Sequence, residues 1–358
     1  MKVLGLLSGT SADGIDAALC EINGAGADAQ IELLAFECVP YSPDLRERVL
    51  NACAGDADTP EIARLNVAIG RAFAAHAQTM FDKYGRAELI GSHGQTVCHL
   101  PAEGVTLQIG EAAIIAEATG VPVVSDFRQR DMAAGGGGAP LVPYADWVTL
   151  RHSTRDRVIL NIGGIANVTI LPAACELEQV RAWDTGAGNM VIDALAQQFF
   201  GISFDENGEL AARGTVHDVE LTDNYFARVP PKSCGREEFG ASFAARFAHL
   251  PPHDALATAT ALTARSIADS LRRFADLREH YELIVSGGGA RNHTLMAMLR
   301  QQLPEALVLT SQEIGVDGDA REAMAFALLA AQTMKRAPTS VVGATGARGS
   351  RVLGKVSF

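Results

Sequence analysis

The stretch VLGLLSGTSADGIDAALCEI, residues 3–22, decides how the rest of the chain is read. An apolar run at 3–7 meets a turn-forming SGTSADG at 8–14, and a second largely apolar run follows at 15–22. Apolar run, turn, apolar run is the pattern of a β-hairpin. VILNIGGIANVTIL, residues 158–171, repeats that pattern about 155 residues later. LIVSGGGARNHTLMAML, residues 283–299, opens the same way but turns into a helix: Leu295, Met298 and Leu299 have helical spacing, and Asn292 stands as N-cap. Two hairpins separated by nearly half the chain predict two related halves rather than a short-period array.

Working outward, the segments between these turns alternate in type. Helices are expected at 43–51, 60–84, 111–118, 190–200, 255–274 and 320–334. In the second of these Ile62, Leu65, Ile69, Phe73, Ala77 and Met80 step by three or four and make one apolar face. Strands are expected at 88–92, 121–125, 282–286 and 306–310. Strands alternating with helices give an α/β fold class. AAGGGGAP, residues 133–140, reads as a hinge, an active-site loop or a crossover, with a plain linker as the alternative. PPKSCGREEFG, residues 230–240, reads as a loop that is either functional or a solvated surface.

Composition narrows the function classes. The 358 residues are 48% hydrophobic, enough for a sizeable core, and 30 Lys+Arg against 42 Asp+Glu leave a net charge of −12. Such a balance argues against broad nucleic-acid binding, which needs a cationic face. Lys2 is followed by an apolar run too short for a secretory segment, and no run approaches the ~18 residues of a membrane span. A soluble, cytoplasmic protein is expected. Cysteines at 20, 38, 53, 98, 175 and 234 form no C-x-x-C pair, so reduced and mostly buried thiols are expected.

Glycines after a strand let backbone N–H groups converge on an anion without Cβ interference. Residues 8–14 add three hydroxyls and a carboxylate to two glycines, which suits a phosphate and its magnesium, the ion met by Asp13 or Asp16 directly or through water; a tight hairpin turn with solvated hydroxyls is the alternative. No G-x-x-x-x-G-K-[ST], no G-x-G-x-x-G after a strand and no G-x-S-x-G occurs, which excludes the P-loop, dinucleotide and serine-hydrolase signatures. His249 and His253 are four apart, but Pro251 and Pro252 between them spoil a helical metal pair.

Taken together, the glycine turns resemble those of the superfamily of acetate and sugar kinases, actin and heat-shock ATPases. The resemblance sharpens to the anhydro-N-acetylmuramic acid kinase family. It is carried by GLLSGTSADGID (5–16), SHGQT (92–96), LQIG (107–110), DFRQRD (126–131), GGGGAPLVP (135–143), NIGGIANVT (161–169), WDTGAGN (183–189), KSCGREEF (232–239), SGGGARN (286–292) and DAREAMAFALLA (319–330), in order along almost the whole chain. Leu7 stands where the family pattern has Met, a volume-conserving exchange. Ala187 stands where it has Pro, which loosens the expected turn after Asp184.

The resemblance implies two related ribonuclease-H-like domains, 1–130 plus 321–358 and 131–320, with an ATP cleft between them. It implies ATP-dependent opening of 1,6-anhydro-N-acetylmuramic acid by water with phosphorylation of O6, giving N-acetylmuramic acid 6-phosphate and ADP, in peptidoglycan recycling. Asp184 is the implied catalytic base. Gly9, Thr10, Ser11, Ala12, Asp13, Gly14, Ile15 and Asp16 would hold the ATP phosphates, Gly163 and Gly164 would oppose them, and Gly287, Gly288 and Gly289 would admit the adenosine. Asp13 and Glu322 are the candidates for Mg²⁺. Arg128 and Arg130 would meet the lactyl carboxylate of the amino sugar, and His93 and Gln95 its polar groups. The partner implied is that small molecule, with no nucleic acid and no membrane; a homodimer is the commonest default. Competing readings are another sugar or carboxylate kinase of the superfamily, and a nucleotide-switched binding ATPase.

Overall fold

The opening hairpin forms as its sequence requires. In a computed structural model, which describes residues 1–9, 11–218 and 221–358, β1 (Lys2–Ser8) pairs antiparallel with β2 (Gly14–Asn23), Leu7 opposite Asp16. β3 (Gln30–Pro40) continues the meander. β4 (Leu89–Leu100) runs parallel to β1, with β5 (Val105–Ile109) antiparallel on its outer stretch. β6 (Val123–Ser125) is parallel to β4, and β12 (Lys355–Ser357) closes that edge. The sheet order is β12-β6-β4-β1-β2-β3.

The alternation of VLGLL sorts the layers. Leu4 and Leu6 join Ile69, Phe73 and Met80 of the helix Thr59–Tyr84 in one core, as the apolar stripe of that helix predicts. Gly5 faces the other way, against the helix Arg321–Met334. An ideal Cβ at Gly5 would lie 1.8 Å from the Ala323 carbonyl oxygen, and one at Gly91 on the neighbouring strand 2.3 Å from that of Phe326. Two glycines therefore seat the helix directly on the sheet.

The chain divides into two units, Met1–Leu150 with Ala320–Phe358, and Arg151–Asp319. The first boundary lies twenty residues beyond the one read from sequence, because the helix Pro143–Leu150 stays with the first unit. Its Asp146, 1% exposed, makes a two-pronged pair with Arg321 at 2.8 and 2.5 Å. The glycine-rich segment is likewise held inside the first unit: Gly137 N–H donates to Thr345 O (2.7 Å) and Gly138 N–H to the carboxylate of fully buried Asp131 (2.9 Å). It is not where the chain crosses over.

In the second unit β7 (Arg157–Ile162), β8 (Ile165–Leu171) and β9 (Arg181–Ala187) form an antiparallel meander. β10 (Tyr281–Ser286) is parallel to β7, and β11 (Ala306–Thr310) parallel to β10. The order β11-β10-β7-β8-β9 repeats the β6-β4-β1-β2-β3 path of the first unit, strand for strand and with the same directions. Two independent α/β units with one topology are what the paired hairpins predicted. Asn292 caps the helix His293–Gln302 by accepting from Leu295 N–H at 2.9 Å, as read from sequence. Of the six cysteines Cys20 and Cys175 are buried, Cys98 and Cys234 half-buried and Cys38 and Cys53 exposed, so the expectation of mostly buried thiols is corrected.

Candidate active site

In the first unit the turn after β1 is built to stay open on one side. Ala12 adopts a left-handed φ of 52° and donates its N–H to Gly9 O (3.1 Å), and a Cβ at Gly9 would meet nothing nearer than 3.9 Å. Gln95, fully buried midway along the parallel strand β4 and opposite Ser8, donates to the same Gly9 carbonyl (3.1 Å), so that oxygen is drawn inward. An anion at a turn is repelled by carbonyl oxygens and held by N–H groups, so tying back the Gly9 carbonyl suits a phosphate. Gly14 is required for a different reason: its Cβ would sit 2.3 Å from Val39 O on β3. Thr10 lies outside the described residues.

Asp13 pairs with a cation: its carboxylate is 67% exposed and lies 2.9 Å from Arg46. Asp16, in the first strand pair below the turn and opposite Leu7, is within electrostatic reach of Glu322, as is Asp146. Glu322 is open to solvent at the first turn of its helix, yet surrounding protein pushes its carboxyl above the usual range; Arg321 and Arg128 pull it down, while Asp16 and Asp146 push it up. Among the described residues no group of three or more His, Cys, Asp or Glu is arranged to hold a metal. Mg²⁺ beside a nucleotide typically takes one or two protein carboxylates, phosphate oxygens and water, so a two-carboxylate set is the kind that fits.

Three motifs converge on one cleft of about 530 Å³ in the first unit, lined among others by Asn66, His93, Gln108, Asp126, Gln129 and Lys355. His93 is fixed in one tautomer. Its Nε2 accepts from Arg128 Nε at 3.0 Å, so the proton sits on Nδ1 and is donated to Gly94 O at 3.1 Å. Burial first, and then the Arg128 charge, push the imidazole down to about 3, so it stays neutral at working pH. Ser92 Oγ and Gln108 Oε1 are buried without a hydrogen-bond partner among the described residues, and both belong to the lining. Polar groups left so are costly unless a ligand or water completes them. Gln108 and Gln129 lie in motifs already quoted; Asn66, on the helix Thr59–Tyr84, carried no sequence signal.

Arg128 and Arg130 do not act together. Two positions on a helix are about 200° apart. Arg128 turns inward to His93 and to Gly138 O (2.9 Å), whereas Arg130 is exposed in a separate pocket of about 260 Å³ with Arg348 and Arg351.

In the second unit Asp184 lies within β9. A bulge there sets Asn167 opposite Asp184 and Ala166 opposite Gly186, leaving Thr185 as the extra residue. Thr185 is fully buried and donates to Ala166 O at 3.1 Å. Bulges re-aim the neighbouring side chain. The segment 232–234 then grips Asp184 from both ends: its N–H donates to Lys232 O (3.0 Å), and its Oδ2 accepts from Cys234 N–H (2.9 Å). Tyr225 Oη donates to its carbonyl at 2.8 Å. Oδ1 receives no hydrogen bond from the described residues. Burial pushes the carboxyl up to about 7, against the Cys234 N–H and the Lys232 charge. A carboxylate balanced near neutrality suits a general base. Asp184 caps no helix; Gly188 fills that place for Asn189–Phe200.

The Gly163–Gly164 turn docks on the start of that helix. Asn189 N–H donates to Gly163 O (2.8 Å), and Gly188 and Met190 N–H donate to Gly164 O (2.9 and 3.1 Å). Its carbonyls are thus neutralised, as at Gly9. Gly287 takes a φ of 79°, and a Cβ there would lie 2.6 Å from Asn161 Oδ1; one at Gly289 would lie 2.4 Å from Ile162 Cγ2. Gly288 lines a 430 Å³ pocket with Asn189, Phe204 and Arg291, and Gly287 a 530 Å³ pocket with Ser311 and Asp317.

The anhydro-N-acetylmuramic acid kinase family model matches residues 1–358. A protein of Caldanaerobacter subterraneus named anhydro-N-acetylmuramic acid kinase is 42% identical over 384 residues, covering 99% of this chain and 96% of that protein. Proteins of the same name from Bacillus cereus (43% identical, 100% of this chain and 99% of the relative) and Synechococcus elongatus (43%, 99% and 99%) match equally fully. The chain belongs to the anhydro-N-acetylmuramic acid kinase family.

Proposed function

We propose that this enzyme uses ATP and water to convert 1,6-anhydro-N-acetylmuramic acid into N-acetylmuramic acid 6-phosphate and ADP, as a cytoplasmic step in cell-wall recycling. The observation that carries the reading is Asp184: one carboxylate oxygen pinned by the Cys234 amide, the other without a partner among the described residues, and an affinity for protons balanced near pH 7. Asp184 Oδ1 takes a proton from water as its oxygen bonds to C1. The C1–O6 bond breaks, and its electrons go to O6. That oxygen attacks the γ-phosphorus as the bond to the β-phosphate oxygen breaks. Charge generated by the first displacement is consumed in the second, so neither step has to leave a free alkoxide.

The turn of Gly9 and residues 11–16 and the Gly163–Gly164 turn support phosphate binding, because both withdraw their carbonyl oxygens. Gly287–Gly289 supports close approach of adenosine. Asp16 and Glu322 would hold Mg²⁺, directly or through water; when bound, the ion neutralises phosphate charge. The cleft beside His93, with Ser92 and Gln108 atoms left without partners among the described residues, supports the amino-sugar subsite; Arg128, which bonds His93 from behind the lining, would be its cation. The test is a coupled ADP assay with anhydro sugar and ATP in ¹⁸O-labelled water. Label at C1 of a 6-phosphosugar is the expected product. ADP release indifferent to the sugar, or a phosphosugar with an intact bridge, would overturn the reading.

A further inference from the structure

Lys232 is seven residues past Tyr225 and far in sequence from Asp184, yet the fold clamps it beside both. Its Nζ donates to Tyr225 O at 3.2 Å and lies over two ring faces, 4.6 Å from the centroid of Tyr225 and 5.0 Å from that of Phe274. An ammonium between two aromatic faces gains cation–π attraction and gives up rotamer freedom. Its own backbone oxygen takes the Asp184 N–H, and two residues later the Cys234 N–H reaches Asp184 Oδ2. Anchoring the side chain therefore fixes the backbone that grips the carboxylate.

We propose that Lys232 is a positioning residue: its clamped ammonium holds residues 232–234 against Asp184, so that Oδ2 is engaged and Oδ1 is left to accept the proton. This deepens the reading of Asp184 as base and rests on it. The charges facing this carboxylate come from several elements. Lys232 and the Cys234 amide favour its ionised form, and Glu238 opposes it. Cys234 and Asp184 act on Lys232 with the opposite sign to Arg228 and Arg273, and burial holds the lysine down to about 8. Lys232 is thus still mostly charged at pH 7, where Asp184 needs it.

Lys232→Met removes the cation and the clamp while keeping most of the side-chain volume. The acid limb of the kcat–pH profile should move up by about one unit. Activity at pH 7 should fall several-fold and recover towards wild type above pH 8.5, while KM for ATP stays unchanged. Lys232→Arg, which keeps the charge over the rings, should restore most of the limb. A ¹³C NMR titration of the Asp184 carboxyl in the full-length variant reads the same shift without turnover; if Lys232→Met does not fold, Lys232→Gln is titrated in its place. A loss equal at every pH, or an unmoved carboxyl titration, would overturn the proposal. Asp184→Asn separates the two readings: an active Asp184→Asn removes the base assignment itself, whereas an inactive one beside an unmoved Lys232→Met limb removes only the role of Lys232.

Discussion

Gly5→Ala is the smallest change that tests how the first unit is assembled. The added methyl would lie 1.8 Å from Ala323 O, 2.8 Å from Ala323 C and 2.9 Å from Ala327 N, all backbone atoms of the helix Arg321–Met334. Cβ contacts begin near 3.0–3.4 Å, so helix and strand must separate by more than 1 Å. The strand cannot yield, because Gly5 is in register with Ala18 on one side and Gly91 on the other. The helix must therefore lift, and Ala323, Ala327 and Phe326, all nearly inaccessible, lose packing. Overpacking costs about 1–3 kcal/mol, and voids under a displaced helix add to it, so about 3 kcal/mol is expected. At roughly 2–4 °C per kcal/mol for a unit of this size, the melting transition should fall by about 6–12 °C. Scanning calorimetry measures it. Gly91→Ala presses on the same helix at Phe326 O from 2.3 Å. Once the helix has lifted, the second methyl costs less, so the double variant should be less destabilised than the two singles together. A Gly5→Ala protein within about 0.5 kcal/mol of wild type, or strict additivity, would refute the account.

Three further outcomes are expected. The kcat–pH profile should drop about tenfold per unit below pH 7, because a raised carboxyl is protonated, and useless as a base, until the pH passes about 7; a flat profile down to pH 5 would exclude Asp184 as the base. Arg321→Met should cost about 3–5 kcal/mol in urea denaturation by stranding the buried Asp146 carboxylate, and adding Asp146→Leu should recover much of that loss. Arg128→Ala removes the donor to His93 Nε2 and to Gly138 O, so KM for the amino sugar should rise about tenfold or more while KM for ATP moves within twofold; the reverse pattern would take Arg128 out of the sugar site.

What could be read from sequence depended on whether the signal was local. The paired hairpins, the Asn292 cap and the stripe from Leu65 to Met80 follow from neighbours within a few residues, and each formed as expected. β3 went unseen because, as an edge strand with both faces partly wet, QIELLAFECVP shows no clean alternation. β5 is five residues long and pairs only with β4. The candidate base Asp184 is legible in WDTGAGN, but its setting is not: the bulge at Thr185 is a feature of strand pairing, and the Cys234 amide that engages Asp184 is fifty residues away. Asp13 and Asp16 both follow the glycine turn, so sequence alone does not choose between them as the metal carboxylate. The fold gives Asp13 an Arg46 partner and sets Asp16 within electrostatic reach of Glu322. Likewise the two arginines of DFRQRD are only two residues apart in sequence and opposed on a helix.

One topology thus serves two purposes. Both units turn from their first strand into their second through glycines, and in both the turn carbonyls are drawn away from the open side. The means differ. In the first unit a side chain from the parallel strand, Gln95, takes the Gly9 carbonyl; in the second the opening N–H groups of the helix Asn189–Phe200 take those of Gly163 and Gly164. A helix start uses its own unpaired donors and needs no particular side chain at that point. A side-chain strut can be lost by one substitution, so the first turn is the more fragile. Gln95 has also a buried Oε1 with no partner among the described residues, a cost accepted only where that amide cannot be turned over. Turning it would aim an oxygen at the Gly9 carbonyl and leave that carbonyl to the Ala12 N–H alone. The strut's orientation, as well as its presence, is what sets the second hold on the first turn's carbonyl.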